Sequence, residues 1–208
     1  RGRQYLFDVT TSGTTDLEVA FGRADDTLLV GDFDGDGDDE LGVWRDGVWL
    51  FNHDMRGGAE RSFRWGRSSD LPFVGDFDGD GDTDLGLRRG GVLLVDLDGN
   101  RGVDRRIDLG ESDDTLLVGD FDGDGADELA MWDGGWFRFD TDLRGGADTV
   151  YWWGRSTDLP LTGDFDGDGS TDIALRRGGR TIIDLNLDDT TDLGIRLGAA
   201  DAEVVDLR

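Results

Sequence analysis

The residues best placed to do chemistry are carboxylates within one short string, Gly-Asp-Phe-Asp-Gly-Asp-Gly, which begins at Gly31, Gly75, Gly119 and Gly163. Counted from the first Asp, acidic side chains fall at positions 1, 3, 5 and 9, with Gly at 4 and 6. The four sets are Asp32, Asp34, Asp36 and Glu40; Asp76, Asp78, Asp80 and Asp84; Asp120, Asp122, Asp124 and Glu128; and Asp164, Asp166, Asp168 and Asp172. Alternate side chains of a tightly curling loop converge on one point, and Gly at position 6 permits the sharp turn. Ca²⁺ is a hard cation that takes roughly six to eight oxygens at about 2.3–2.6 Å, so each loop reads as a cage for one Ca²⁺, four in all. Position 7 offers a backbone carbonyl, which explains its varied identity: Asp38, Asp82, Ala126 and Ser170. With no His or Cys near, Zn²⁺ and softer metals are disfavoured, and Mg²⁺ prefers smaller, more hydrated sites. Position 12, where an EF-hand carries a bidentate Glu, holds Val43, Leu87, Met131 or Leu175. Solvated acidic turns are the plain alternative, but phase and spacing agree in every copy. Without a cation the carboxylates of one loop repel, so stability is expected to depend on calcium.

The elements that must hold these loops follow from the repeat. The four strings are spaced by 44 residues, and Gly66, Gly110, Gly154 and Gly198 close the units in the same register. A weaker superperiod of two units is visible in Asp26-Thr27-Leu28-Leu29-Val30, which matches Asp114-Thr115-Leu116-Leu117-Val118, while Asp70-Leu71-Pro72 matches Asp158-Leu159-Pro160. Each unit reads as four short strands separated by Gly/Asp turns; in the first these are Thr27–Val30, Leu41–Arg45, Val48–Asn52 and Arg61–Trp65. No sustained helical period occurs. Four strands per unit of this length is the spacing of a propeller blade, and radial stacking buries both faces of each sheet. The expected fold is therefore an all-β propeller: a partial blade at 1–22, blades at 23–66, 67–110, 111–154 and 155–198, and a closing strand at 199–208. Tyr5–Val9 and Leu17–Phe21 match third and fourth strands and Glu203–Asp206 a first strand, so about five blades are expected, the fifth shared by the two termini. The first strand of each unit is the most apolar and is expected to be buried on both faces. Trp44, Trp49, Trp65, Trp132, Trp136, Trp152 and Trp153 are expected to pack between sheets.

Composition bounds the function. The chain has 208 residues and a net charge of −27, and all 21 basic residues are Arg. Such a field repels nucleic acid and anionic lipid and attracts cations. No apolar run is long enough for a membrane-spanning helix. Cysteine is absent, which rules out disulfides and thiolate metal sites. The start, Arg1-Gly2-Arg3, reads as that of an excised or processed fragment.

The pattern Asp-x-Asp-x-Asp-Gly-x-x-Asp/Glu-Leu/Ile between apolar strands resembles the FG-GAP/VCBS class of calcium-binding repeats, which includes the calcium-binding blades of integrin α-chain propellers; the 44-residue unit is similar to tandem repeats of secreted bacterial proteins. The resemblance implies that the loop joins the first two strands of a blade, and that the acidic residues named above bind through side chains and Asp38, Asp82, Ala126 and Ser170 through carbonyls. Glu40 and Glu128 depart from the Asp of the pattern. The resemblance also implies a non-catalytic scaffold, adhesion or interaction module, extracellular or at the cell surface, with a protein or glycan partner. A carbohydrate-binding or polysaccharide-processing propeller is the alternative. No catalytic constellation is recognisable. His53, the single histidine, reads as a surface residue. Arg88-Arg89 and Arg176-Arg177 read as partners of nearby carboxylates or, alternatively, as an anion site.

Overall fold

Alternation of apolar and polar residues, cut at regular intervals by Gly and Asp, leaves short strands as the only regular structure the chain can form. The structure, a computed structural model, describes residues 2–196, and its regular elements are all β-strands. β1 (Arg3–Phe7) and β2 (Leu17–Phe21) form a two-stranded sheet. Blade 1 contains β3 (Thr27–Gly31), β4 (Glu40–Arg45), β5 (Val48–Asn52) and β6 (Arg61–Arg64). Blade 2 contains β7 (Leu71–Gly75), β8 (Asp84–Arg89), β9 (Val92–Asp96) and β10 (Arg105–Asp108). Blade 3 contains β11 (Thr115–Gly119), β12 (Glu128–Asp133), β13 (Trp136–Asp140) and β14 (Thr149–Trp152). Blade 4 contains β15 (Leu159–Gly163), β16 (Asp172–Arg177), β17 (Arg180–Asp184) and β18 (Leu193–Ile195). Each blade is an antiparallel meander in chain order. The fold is thus a propeller of four four-stranded blades, with β1–β2 as part of a fifth. The expected strand at Glu203–Asp206, and the closure it would make, lie outside the described residues.

The core lies between blades. Val19 and Phe21 pack on Leu41 and Val43; Phe33, Trp49 and Phe51 of blade 1 pack on Leu85 and Leu87 of blade 2; Leu93 and Ile107 pack on Leu129 and Met131; and Phe137, Phe139 and Trp153 pack on Ile173 and Leu175. Side chains alternate along each second strand, so Leu41 and Val43 face the preceding sheet while Trp44 faces the next. The two faces of a blade therefore belong to two different interfaces, and no blade can bury both without neighbours.

Two sequence expectations need correction. The second strands, not the first, are the fully enclosed ones: β4, β8, β12 and β16 are buried at every residue but their last. The first strands β3, β7, β11 and β15 adjoin one another at the centre of the fold, and Val30, Leu71 and Leu159 are exposed there. As edge strands they tolerate Pro72 and Pro160, whose missing N–H would break the ladder of a central strand. Nor do all tryptophans pack between sheets: Trp136 and Trp152 are 47% and 57% exposed, opposite each other on β13 and β14.

The turn before each first strand is tied to the blade that it leads into. Asp26, Asp70 and Asp158 cap their own turns through the N–H groups of Arg23, Arg67 and Arg155 and form two-pronged ion pairs with Arg45, Arg89 and Arg177. Blade 3 has Asp133 where the others carry Arg, and Arg138 reaches Asp114 at 3.5 Å instead. Arg88 is buried and donates to the carbonyls of Asp114 and Glu111, locking blade 2 to the turn of blade 3.

Candidate metal centre

Each inner loop joins the first and second strands of its blade, and one set of hydrogen bonds shapes all four. The position 1 carboxylate accepts from the backbone at positions 4 and 6. Asp32 takes the N–H of Gly35 at 2.7 Å and of Gly37 at 2.8 Å; Asp76, Asp120 and Asp164 do the same with Gly79 and Gly81, Gly123 and Gly125, and Gly167 and Gly169. Those turns require positive φ: Gly35 and Gly37 lie at 77° and 91°, a region that glycine enters without strain. The position 9 carboxylate reaches back across the loop to the N–H of position 2. The pairs are Phe33–Glu40 at 2.9 Å, Phe77–Asp84 at 2.8 Å, Phe121–Glu128 at 2.7 Å and Phe165–Asp172 at 2.7 Å. Position 5 accepts the N–H of position 7, at 3.0 Å for Asp38, 2.9 Å for Asp82 and Ala126, and 2.8 Å for Ser170. The aromatic at position 2 anchors the loop, since Phe33, Phe77 and Phe121 are buried in the interblade cores.

These contacts bring the acidic groups together. One oxygen each of Asp32, Asp34, Asp36 and Glu40 lie within 4.8 Å of one another, as do those of Asp120, Asp122, Asp124 and Glu128, and of Asp76, Asp78 and Asp84. Oxygens this close are compatible in type and spread with a single Ca²⁺ at about 2.4 Å from each in these three loops. The position 9 groups are buried, and their protonation responds. Burial, reinforced by Asp78, Asp76 and Asp80, pushes Asp84 up to about 8 against the opposing Phe77 N–H. Burial and then Asp122, Asp120 and Asp124 push Glu128 up to about 8. Burial and then Asp166, Asp168 and Asp164 raise Asp172 to about 6, and Glu40 is shifted in the same direction by burial first. A cation in the loop would reverse this preference for the neutral form.

The loops are linked around the centre. The Thr83 N–H donates to the Asp32 carbonyl at 2.7 Å, Asp127 N–H to the Asp76 carbonyl at 2.5 Å, and Thr171 N–H to the Asp120 carbonyl at 2.5 Å. Position 8 of one loop is thereby tied to position 1 of the loop before it, so any order imposed on one loop is felt by the next blade.

Two features escaped the sequence reading. His53 is not a surface residue: its Nδ1 lies 3.4 Å from Asp34 Oδ2 and 3.6 Å from Glu40 Oε2. The expectation that no nitrogen donor stands near the loops therefore fails in blade 1, where a strand hairpin brings His53 back to the first loop. The second feature is an outer loop at the same end of every blade, between its third and fourth strands. Asp8, Asn52, Asp96, Asp140 and Asp184 recur at the 44-residue period, each with an acid eight positions later: Asp16, Glu60, Asp104, Asp148 and Asp192.

No protein-family model matches the chain, and no curated protein sequence matches it. Solved structures do match in fold. A lectin of Agrocybe aegerita, described for its specific recognition of non-reducing terminal N-acetylglucosamine, is 15% identical, with a TM-score of 0.65 over 96% of this chain and 66% of the lectin. BBS1N, crystallised in complex with ARL6DN, is 12% identical, with a TM-score of 0.50 over 83% of this chain and 57% of its own. At these identities the likeness is one of fold. The chain spans just under two thirds of the lectin's length and less of BBS1N's.

Proposed function

We propose that this chain is a non-catalytic, calcium-binding propeller module of the FG-GAP/VCBS type, serving as an extracellular or cell-surface scaffold, adhesion or interaction domain. In this reading each inner loop holds one Ca²⁺ through its side chains at positions 1, 3, 5 and 9 and the carbonyl at position 7, and the ion is structural. The observation that carries the reading is the buried acid at position 9, present in all four loops and clustered with the three other carboxylates of its turn in the first and third and with two of them in the second. Without a cation such a group is held toward its neutral form, and a cation in the loop would let it ionise and bind. The closed hydrogen-bond scheme of the loop favours a staple over a reactive centre. The test is a melting curve in calcium against one in chelator. Each site should add about 2.7 kcal/mol at a hundredfold excess of Ca²⁺ over its dissociation constant; equal melting temperatures would remove the basis of the proposal.

One observation favours a glycan as partner. Trp136 and Trp152 stand exposed and opposite each other on the outer strands of blade 3, an aromatic pair of the kind that stacks on sugar rings, and one of the solved structures similar in fold is a lectin. Binding to an array that includes N-acetylglucosamine-terminated glycans, lost on Trp136→Ala and Trp152→Ala, is the expected result for that partner; no binding by the unmodified chain would leave a protein partner.

A further inference from the structure

The outer loop of blade 2 has oxygen donors at the same four positions as an inner loop: Asp96, Asp98, Asn100 and Asp104. Its backbone follows the same path. Gly99 and Arg101, at positions 4 and 6, have φ of 63° and 73°. Asp96 Oδ2 accepts the Arg101 N–H at 2.7 Å, Asp104 Oδ2 the Leu97 N–H at 3.0 Å, and Asn100 Oδ1 the Gly102 N–H at 2.6 Å. One oxygen each of Asp96, Asp98 and Asp104 lie within 4.8 Å of one another.

A loop of this shape does not by itself demand an ion, but Asp96 does. Its side chain is fully buried, and its Oδ1 has no hydrogen-bond partner. The Asp98 carboxyl lies against it, which adds like charge where a donor is missing. A buried carboxylate oxygen without a donor is costly and rare. No neighbouring arginine is bonded to Asp96: Arg101 Nε donates to the Asn100 carbonyl and its guanidinium stands over the Phe63 ring, Arg105 donates to the Asp104 carbonyl, and Arg61, which reaches the loop from blade 1, donates to the Gly99 carbonyl at 3.5 Å. We infer that the Asp96–Asp104 loop is a further calcium site, with Asp96, Asp98, Asn100 and Asp104 as its side-chain ligands.

The other blades show why the site belongs here. Blade 1 has the neutral Asn52 at position 1, whose buried side-chain atoms are likewise unpartnered but carry no charge to balance, and Arg56 at position 5; blade 3 has Arg144 there, and its Nη1 pairs with Asp142 Oδ2 at 3.1 Å, so a guanidinium takes the charge an ion would balance. Blade 4 also has oxygen donors at all four positions, Asp184, Asn186, Asp188 and Asp192, but both Asp184 oxygens accept backbone N–H groups, from Asp188 and Asp189, so it lacks the unpartnered buried oxygen that singles out blade 2. A cleft of about 350 Å³ between blades 1 and 2, lined in part by Arg61, Asp78, Asp84, Asp96 and Asp98, adjoins the loop.

The test is equilibrium dialysis of the full chain against radiolabelled calcium, comparing the unmodified protein with Asp98→Ala and with Asn100→Arg, which installs the residue type found in blades 1 and 3. The expected result is one fewer calcium per chain in both variants at saturation. Equal counts in folded variants would overturn the inference, whatever the inner loops bind, because the comparison reads the outer loop alone. Should either variant fail to fold, anomalous diffraction from the unmodified chain grown in calcium decides: a peak between Asp96 Oδ1 and the Asp98 and Asp104 carboxylates is expected, and its absence contradicts the site.

Discussion

Each blade carries two loops at the same end, and they share a backbone while differing in side chains. Inner and outer loops both place positions 4 and 6 at positive φ: Gly35 and Gly37 inside blade 1, Met55 and Gly57 outside it. Both tie position 9 to the N–H of position 2, through Glu40 in one and Glu60 in the other. The turn is therefore built by an Asp or Asn at position 1 and an acid at position 9, and it forms without a full ligand set. Positions 3 and 5 separate the two classes. Inner loops keep Asp at both in every blade, while outer loops vary from Thr10 and Ser12 to Asp54 and Arg56. On the proposed reading those two side chains decide whether the turn, which the backbone makes anyway, can hold a cation.

That contrast can be broken in several ways. The largest effect should be collective and pH-dependent. In chelator, Asp84, Glu128 and Asp172 are protonated in the folded chain up to about 8, 8 and 6, against an unfolded value near 4. The folded state thus binds more protons between those limits, and stability falls as pH rises. The metal-free chain should melt higher at pH 5 than at pH 8, and calcium should invert the order; a flat profile in chelator would mean that the buried acids are balanced some other way. Next comes the position 9 acid. Glu128→Ala leaves the Phe121 N–H without its partner and removes a proposed calcium ligand, at an expected cost of about 3 kcal/mol in calcium by denaturant unfolding. Its outer counterpart Asp148→Ala should lose about 1 kcal/mol, independent of calcium. Asp140→Ala tests the turn itself. The side chain is fully buried and accepts from Arg144 and Gly145, so about 2 kcal/mol should be lost with or without the ion. The smallest effect is a gain. Thr11 is exposed at φ 53°, and Thr11→Gly should relieve about 0.5–1 kcal/mol of backbone strain.

Most of the architecture was legible because four units repeat one string in one phase: the strands of blade 1 fall within a residue or so of their expected bounds. The turns of the inner loops were equally plain, since an acid stands at positions 1, 3, 5 and 9 in every copy. The outer loops were not, for a physical reason. Met55, Leu143, Leu187 and Thr11 occupy a position where glycine would have marked the turn, and Arg or Asn replaces Asp among the donors. Only the period of the position 1 and position 9 residues could have revealed them. His53 was hidden because its approach to Asp34 is made across a hairpin, and no local spacing encodes that. The first strands misled because apolar composition does not distinguish an enclosed strand from one lining the centre; Pro72 and Pro160 were the available warning.

The most direct measurement is a crystal structure of the chain grown in abundant calcium. Anomalous density should appear in all four inner loops, at about 2.3–2.6 Å from oxygens of the residues at positions 1, 3, 5 and 9. Folded chains whose inner loops hold only water at that concentration would contradict the account.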